Sequence, residues 1–436
     1  MKLLLTLLLA AAATAACAET GPPSWIDPKT GHRVIRISTE PGSFSLYFNQ
    51  QSFTPQGDKM VVSIPGGIGA VDLKSWRITP IVKGEKLQLL FAGGRTRTVY
   101  YAMATGPRAA DGESGPSQIW AADIDSGRAR KIADLPGGGI ATINADETLL
   151  AGTVTEHPMA LQPGAGGRDA RFGQANYSAN GPDGKPLTFA EAKEVRLNDR
   201  LEAKIPMEIF TIDVRTGERR VVHRATDWLN HLLFSPTDPT LLMFCHEGPW
   251  HKVDRIWTIH TDGTGLALVH KRTMNMEIAG HEFWAPDGKT IWYDLQTPRG
   301  QVFWLAGYDV ATGRRRWYNL DRNQWSVHFN IAPDQKSFSG DGGDSEMVAH
   351  APDGKWLYIF HPRDIPDVAG IHAPGSDQLI SPGTLDGEKI VDMSRHDYRL
   401  EPNIHFTPDG KWIVFRSNME GFNGIYAAEL ARAKGL

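Results

Sequence analysis

Trp284-Ala285-Pro286-Asp287-Gly288-Lys289 and Phe406-Thr407-Pro408-Asp409-Gly410-Lys411 are two copies of one phrase, and that phrase decides the fold. An apolar residue is followed by Ser, Thr or Ala, then Pro-Asp-Gly-Lys, then a short apolar run. Pro presets φ for a turn, Asp and Gly take its tight positions, and β-branched or aromatic residues resume a strand. Variants stand at Phe53-Thr54-Pro55-Gln56-Gly57-Asp58-Lys59, Phe234-Ser235-Pro236-Thr237-Asp238-Pro239 and Ile331-Ala332-Pro333-Asp334, with a degenerate copy at Ile143-Asn144-Ala145-Asp146-Glu147. A second phrase follows most copies, a strand closed by a Gly turn. Ile209-Phe210-Thr211-Ile212-Asp213-Val214-Arg215-Thr216-Gly217 is one example, and Leu305-Ala306-Gly307-Tyr308-Asp309-Val310-Ala311-Thr312-Gly313 is another.

Two hairpins per repeat make a four-stranded unit. Successive copies recur about every 50 residues, the spacing of propeller blades. Starts near residues 47, 87, 137, 231, 281, 328 and 405 predict an all-β, seven-bladed β-propeller of four-stranded antiparallel blades. Pro352-Asp353-Gly354-Lys355 lies too close to its neighbour to start a blade and reads as a turn within the sixth. Residues 157–205 exceed what a blade needs. The run Thr188–Arg196 has helical character and is expected to form a lid or rim insertion. Two smaller all-β domains are the plainer alternative.

The N-terminus reads as an export leader over residues 1–18. It has Lys2, an apolar run Leu3–Ala13 and a small-residue cleavage site at Ala16-Cys17-Ala18. The expected location is periplasmic or secreted, with residues 19–436 forming a single propeller domain. Thr14-Ala15-Ala16-Cys17 loosely resembles a lipoprotein signal, in which Cys17 would carry the lipid, but the usual Leu is missing. Cleavage leaves Cys245 as the only cysteine, so no intramolecular disulfide is expected. The net charge of −4 gives no basic stripe for nucleic acid, and no later segment is apolar enough to span a membrane. Gly137-Gly138-Gly139 lacks the Lys-Ser/Thr of a phosphate loop. Oligomeric state is not legible.

Histidines cluster where blades begin. His231, His281 and His328 each stand five residues before the Pro of a first hairpin turn, and His405 stands three before its Pro, on the same strand parity. On this reading four blades point imidazoles toward one axis, with His246 and His251 following in the fourth blade. Imidazole ligates divalent metals or moves a proton near neutral pH. Asn403 and Glu401 share the parity of His405, which allows a mixed nitrogen and oxygen site for Mn²⁺, Ca²⁺ or Mg²⁺. Arg255 and Arg224 are candidate carboxylate partners, because the guanidinium fork binds both oxygens.

Several of these stretches carry a family likeness. His231-Leu232-Leu233-Phe234-Ser235-Pro236, Phe244-Cys245-His246-Glu247-Gly248-Pro249, Val253-Asp254-Arg255-Ile256-Trp257, His281-Glu282-Phe283-Trp284, Ser326-Val327-His328, Gly340-Asp341-Gly342 and His405-Phe406-Thr407-Pro408-Asp409-Gly410 resemble oligogalacturonate lyases. That resemblance implies β-elimination on an acidic oligosaccharide, with His281 as the base, Arg255 on the carboxylate, and a metal ion, usually Mn²⁺, at His328 and His405. His231, His246, His251 and Arg224 are then expected to bind substrate. The family's Gln-x-x-His-x-His arrangement is altered here to Leu400-Glu401-Pro402-Asn403-Ile404-His405, and Leu400 cannot ligate. A lyase acting on another uronate-containing glycan, and a non-catalytic binding propeller, are the competing readings.

Overall fold

A computed structural model describes residues 21–107, 114–159, 168–169, 174–175, 179–366, 369–371 and 373–433. The leader expected over residues 1–18, Cys17 included, lies outside them, as does part of the insertion at 157–205. Apart from a two-stranded hairpin at 168–169 and 174–175, the strands form seven radial blades, of which the fifth and sixth are joined edge to edge in one eight-stranded sheet.

Blade 1 consists of Lys59–Ile64, Gly67–Asp72 and Ile78–Lys83. Its inner edge is made by Phe44 and Phe53, bridged to Ser63 and Met60. Blade 2 runs through Leu87–Ala92, Thr98–Ala104, Ser117–Asp123 and Ala129–Leu135. Blade 3 uses Gly139–Ile143, Leu149–Thr155, Met207–Asp213 and Arg219–Ala225. Blade 4 follows with Trp228–Phe234, Leu241–Glu247, Ile256–His260 and Ala267–Leu268. Blade 5 has Ile278–Trp284, Thr290–Gln296, Phe303–Asp309 and Arg315–Leu320. Blade 6 has Asn330–Ile331, Phe338–Gly340, Trp356–Asp364 and Ser381–Asp392, and its long outer strand also pairs in parallel with the outer strand of blade 5. Residues 352–355 fall between the second and third strands of blade 6, as their spacing predicts.

Blade 7 closes the ring. Its strands His405–Phe406, Trp412–Ser417 and Gly424–Arg432 are completed by His32–Arg36 and Ser24–Ile26 from the other end of the chain. Closure of this kind leaves no long open edge between first and last blades.

Strand alternation supplies the core. In the second strand of blade 4, Leu242 and Phe244 pack toward blade 3, while Met243 packs toward Ile291 and Tyr293 of blade 5. Each large apolar side chain buried this way contributes about 1.5–3 kcal/mol. The Pro-Asp-Gly turns also seat blade on blade: Gly288 has φ +69°, and a Cβ there would lie 2.0 Å from Thr237 Oγ1 of blade 4.

The one helix longer than a turn among the described residues, α1 (Phe189–Ala203), lies in the insertion between the second and third strands of blade 3. Thr188 and Glu191 form a reciprocal capping box at its start, and Lys204 ends it in the left-handed conformation.

Candidate functional site

Four non-glycine residues sit in the left-handed region at corresponding places: His231 (φ 50°), His281 (φ 50°), His328 (φ 46°) and Asn403 (φ 49°). Each stands five residues before the Pro of its blade's first turn, at Pro236, Pro286, Pro333 and Pro408. In blades 4 and 5 the ladder register shifts across them, so the residue is a bulge in the inner strand. A non-glycine residue held there costs about 1–2 kcal/mol. Strain repeated in four consecutive blades marks a site, and the bulge re-aims the side chain.

In blades 5 and 6 the second strand supplies a partner thirteen residues later. His281 Nδ1 lies 2.9 Å from Asp294 Oδ2, and His328 Nδ1 lies 2.8 Å from Asp341 Oδ2. Thirteen residues after Asn403 stands Arg416, whose side chain goes to Glu401, and thirteen after His231 stands the core residue Phe244. A carboxylate on Nδ1–H fixes the tautomer and leaves Nε2 as the acceptor. His281 Nε2 has no hydrogen-bond partner among the described residues, and its side chain keeps 15% exposure. The two imidazoles meet edge to face with centroids 4.6 Å apart. Asp341 is placed by its glycines: a Cβ on Gly340 would strike Ser326 Oγ at 2.4 Å, and Gly342 has φ +67° with its N–H donated to that hydroxyl at 2.7 Å.

Around this pair is a buried charge cluster. Glu401 Oε2 is 3.9 Å from His328 Nε2 and 4.0 Å from Arg416 Nη2, while Arg416 Nε donates to the Glu401 carbonyl at 2.6 Å. Burial pushes the Glu401 carboxyl up, but its interactions with His328, Lys193, Arg416 and His281 outweigh it and hold it at about 2. Burial likewise opposes protonation of His328, yet Asp341 and Glu401 beside it raise its pKa above the usual imidazole value. Tyr47, with ring centroids 5.4 Å from His328 and 6.0 Å from His231, is kept a neutral phenol by burial among carboxylates. On the blade 4 side, Glu247 accepts from Asn230 Nδ2 at 2.7 Å and lies 3.7 Å from His231 Nε2.

Arg255 is placed beneath this site. Its guanidinium lies 3.7 Å from Glu247 and 3.8 Å from Glu282, with only 4% of the side chain exposed. Among the described residues its Nε and Nη1 have no hydrogen-bond partner, nor do the Glu282 carboxylate oxygens or Asp294 Oδ1. A fixed positive charge therefore stands among three buried carboxylates directly behind His281.

The structure brings His231, His281, His328, Asn403, Glu401 and Arg255 together. It does not bring His246 there. Strand alternation turns Glu247 toward the cluster and His246 to the opposite face, where its Nδ1 meets Asp227 at 2.6 Å and its ring packs on Trp257. His251 is half-buried in the turn before Lys252. Arg224 lies in the outer strand of blade 3, with 69% of its side chain exposed, and pairs with Glu208 at 2.8 Å. In blade 7 the left-handed residue is Asn403, not His405, and the backbone reversal at Asn403 ahead of the strand His405–Phe406 breaks the alternation that parity assumes. His405 Nε2 is 3.1 Å from the Leu46 carbonyl oxygen, which fixes that nitrogen as a donor, and burial lowers the imidazole to about 4. Asn403 Oδ1 accepts from the Phe48 N–H at 3.0 Å, so its amide N–H₂ faces Glu401. Sequence reasoning missed Tyr47, Glu247, Glu282, Asp294, Asp341 and Arg416. For Asp294, Asp341 and Arg416 the only local signal was an interval of thirteen residues from His281, His328 and Asn403.

His328 Nε2 and Glu401 Oε2 are the donors that fit a divalent cation. They are a nitrogen and an oxygen, 3.9 Å apart, and the imidazole is oriented through Nδ1 by a carboxylate, as metal-bound histidines are. No group of three His, Cys, Asp or Glu side chains converges on one point among the described residues. The remaining positions around such an ion would fall to water or substrate oxygens.

Comparison with known proteins agrees with this architecture. The family described as oligogalacturonate lyase matches residues 180–433, the part that carries all four strained positions. An oligogalacturonide lyase of Pectobacterium atrosepticum is 24% identical over 429 residues, covering 93% of this chain and 95% of that protein. An oligogalacturonate lyase of Dickeya dadantii is 28% identical over 229 residues, so the match spans 51% of this chain and about half, 55%, of that protein. Among solved structures, an oligogalacturonate lyase in complex with manganese superposes with a TM-score of 0.69 at 22% identity, over 94% of this chain and 96% of that one, a likeness of fold. By the extent of the family match, the chain belongs to the oligogalacturonate lyase family.

Proposed function

We propose that this protein is a carbon–oxygen lyase that cleaves oligogalacturonides, fragments of pectin, by β-elimination to leave a 4,5-unsaturated uronate. The observation that carries the reading is the His281–Asp294 pair: a strained, oriented imidazole with a free Nε2 inside a buried charge cluster. Elimination removes the proton at C5 and expels the oxygen at C4. That C–H is a weak acid, because the developing charge falls beside an existing carboxylate, so fixed positive charge must stand there. His281 takes the proton at Nε2, and Asp294 stabilises the imidazolium that forms. Arg255 supplies positive charge behind the base. His328 and Glu401 would hold a divalent cation, Mn²⁺ as in the related complex, which when bound draws charge from the uronate carboxylate. His231, held against Glu247, is the imidazole we assign to the leaving oxygen, and His251 to substrate contact. We place the reaction in the periplasm or outside the cell, on the strength of the leader at residues 1–18.

The test is a lyase assay on di-, tri- and polygalacturonate, with EDTA and with added Mn²⁺, read as ultraviolet absorbance of the unsaturated product. Metal-dependent absorbance on the short substrates is expected. Absorbance only from other uronate glycans would move the substrate class, and none from any uronate glycan would overturn the lyase reading.

A further inference from the structure

The helix α1 belongs to blade 3 by sequence but is fastened to blades 4 and 5. Lys252 Nζ, in the turn after the second strand of blade 4, donates to Asn198 Oδ1 at 2.5 Å and lies 3.5 Å from Glu202. Arg299, in the turn after the second strand of blade 5, pairs with Glu194. The Arg200 guanidinium lies 4.1 Å from the centre of the Trp228 ring, at the start of the inner strand of blade 4. Ala192 and Leu197 are buried, each with 1% exposure. These attachments draw the helix across the end of the barrel where the second strands of blades 4 and 5 finish, the end nearest His281.

Lys193 lies on this fastened stretch, next to Glu194, and is half-buried. Its charge acts on both Glu247 of blade 4 and Glu401 of the blade 7 approach. Those carboxylates stand on different blades, and the attachments at Lys252, Arg299 and Trp228 bring the helix that carries Lys193 over blades 4 and 5. Lys193 nevertheless forms no hydrogen bond or ion pair with the described residues. A partly dehydrated ammonium without a bonded counter-ion is a binding site for one.

We propose that Lys193 binds the carboxylate of a second uronate unit, so that α1 builds a subsite selective for acidic oligosaccharides. The inference rests on the reading of the protein as a galacturonide lyase. In a chain of linked uronates every unit carries a carboxylate. His281, Arg255 and the cation serve the reacting unit, and Lys193 serves its neighbour.

The experiment compares the wild-type protein, Lys193→Met and Lys193→Arg. Steady-state kinetics on trigalacturonate are run beside calorimetric titration of trigalacturonate and of its fully methyl-esterified form. For Lys193→Met, KM is expected to rise roughly tenfold or more with kcat held within about twofold, the loss of one charge-assisted contact. Lys193→Arg should restore most of the affinity, and the preference for the acid over the ester should shrink in the Met variant alone. An unchanged melting temperature for Lys193→Met would exclude misfolding. Equal affinity of Met variant and wild type for the acid trimer overturns the role of Lys193, whatever the turnover. Tight binding by the wild type without turnover would sink the lyase reading and leave Lys193 to be judged on the titrations. No binding by the wild type overturns both.

Discussion

The inner strands of blades 2 and 3 and those of blades 4 and 5 share one device and use it differently. All four carry a register shift in the first hairpin. In blades 2 and 3 the extra residue is Leu90 or Ala141, with ordinary backbone angles. In blades 4 and 5 it is His231 or His281, turned into the left-handed region, and His328 and Asn403 repeat that turn in blades 6 and 7. The scaffold offers the bulge in both halves. Only the second half strains it, and there an oriented side chain results. Fold and site are thus separable: the Pro-Asp-Gly turns build the ring, and the strained histidines with their second-strand carboxylates, Glu247, Asp294 and Asp341, build the chemistry.

That contrast can be broken experimentally. Beyond His281 itself, the largest effect is expected from Asp294→Asn, which removes the carboxylate that sets the His281 tautomer. Turnover should fall by roughly a hundredfold or more, within the range general-base catalysis supplies. Leu90→Ala, at the matching bulge of blade 2, should cost about 2–5 kcal/mol of stability and leave turnover per folded molecule unchanged. Asp341→Asn should weaken Mn²⁺ binding about 10–100-fold in a calorimetric titration, as loss of a carboxylate behind a ligating histidine does.

Acid unfolding gives the next effect. Glu401 is held at about 2 in the folded protein, against an ordinary value of 4.5, by His328, Lys193, Arg416 and His281 acting against its burial. A depressed carboxyl stabilises the fold above its unfolded pKa, so this contribution is complete above about pH 4.5 and is lost as pH falls toward 2. Unfolding midpoints measured in EDTA should drop less steeply across that window for Glu401→Gln than for the wild type. The smallest effect is a reversal of sign. At position 231, Gly should be more stable than Ala by about 1 kcal/mol, because only Gly tolerates the left-handed backbone freely. At Ala141 the order should invert, with Gly costing about 0.5–1 kcal/mol. The same order at both sites would contradict the strain argument.

Turn chemistry is local, which is why the blade starts and the helical insertion were legible: Pro286-Asp287-Gly288 and Thr188-Phe189-Ala190-Glu191 state their geometry within a few residues. His281 and His328 were legible for the same reason, through their interval to a Pro. What depended on register was hidden. His405 shares parity with Asn403 on an ideal strand, but the left-handed backbone at Asn403 breaks the alternation. His246 was chosen over Glu247 because a histidine attracts attention, whereas the pairing of Leu229 with His246 turns that side chain toward blade 3. Asp294, Asp341 and Arg416 are set by cross-strand pairing, and Tyr47 by closure of the ring, neither of which is written in a single stretch of sequence. Closure itself, with His32–Arg36 completing blade 7 some 390 residues away, had no local signal.

The central claim is that His281, held by Asp294 in a strained bulge, is the base. The most direct measurement is the rate of ultraviolet absorbance gain from trigalacturonate for wild type and His281→Ala, each shown to bind the trimer. The account predicts wild-type turnover and a loss of about 10²–10⁴-fold in the variant with trimer affinity largely kept. Turnover by His281→Ala at the wild-type rate would contradict it.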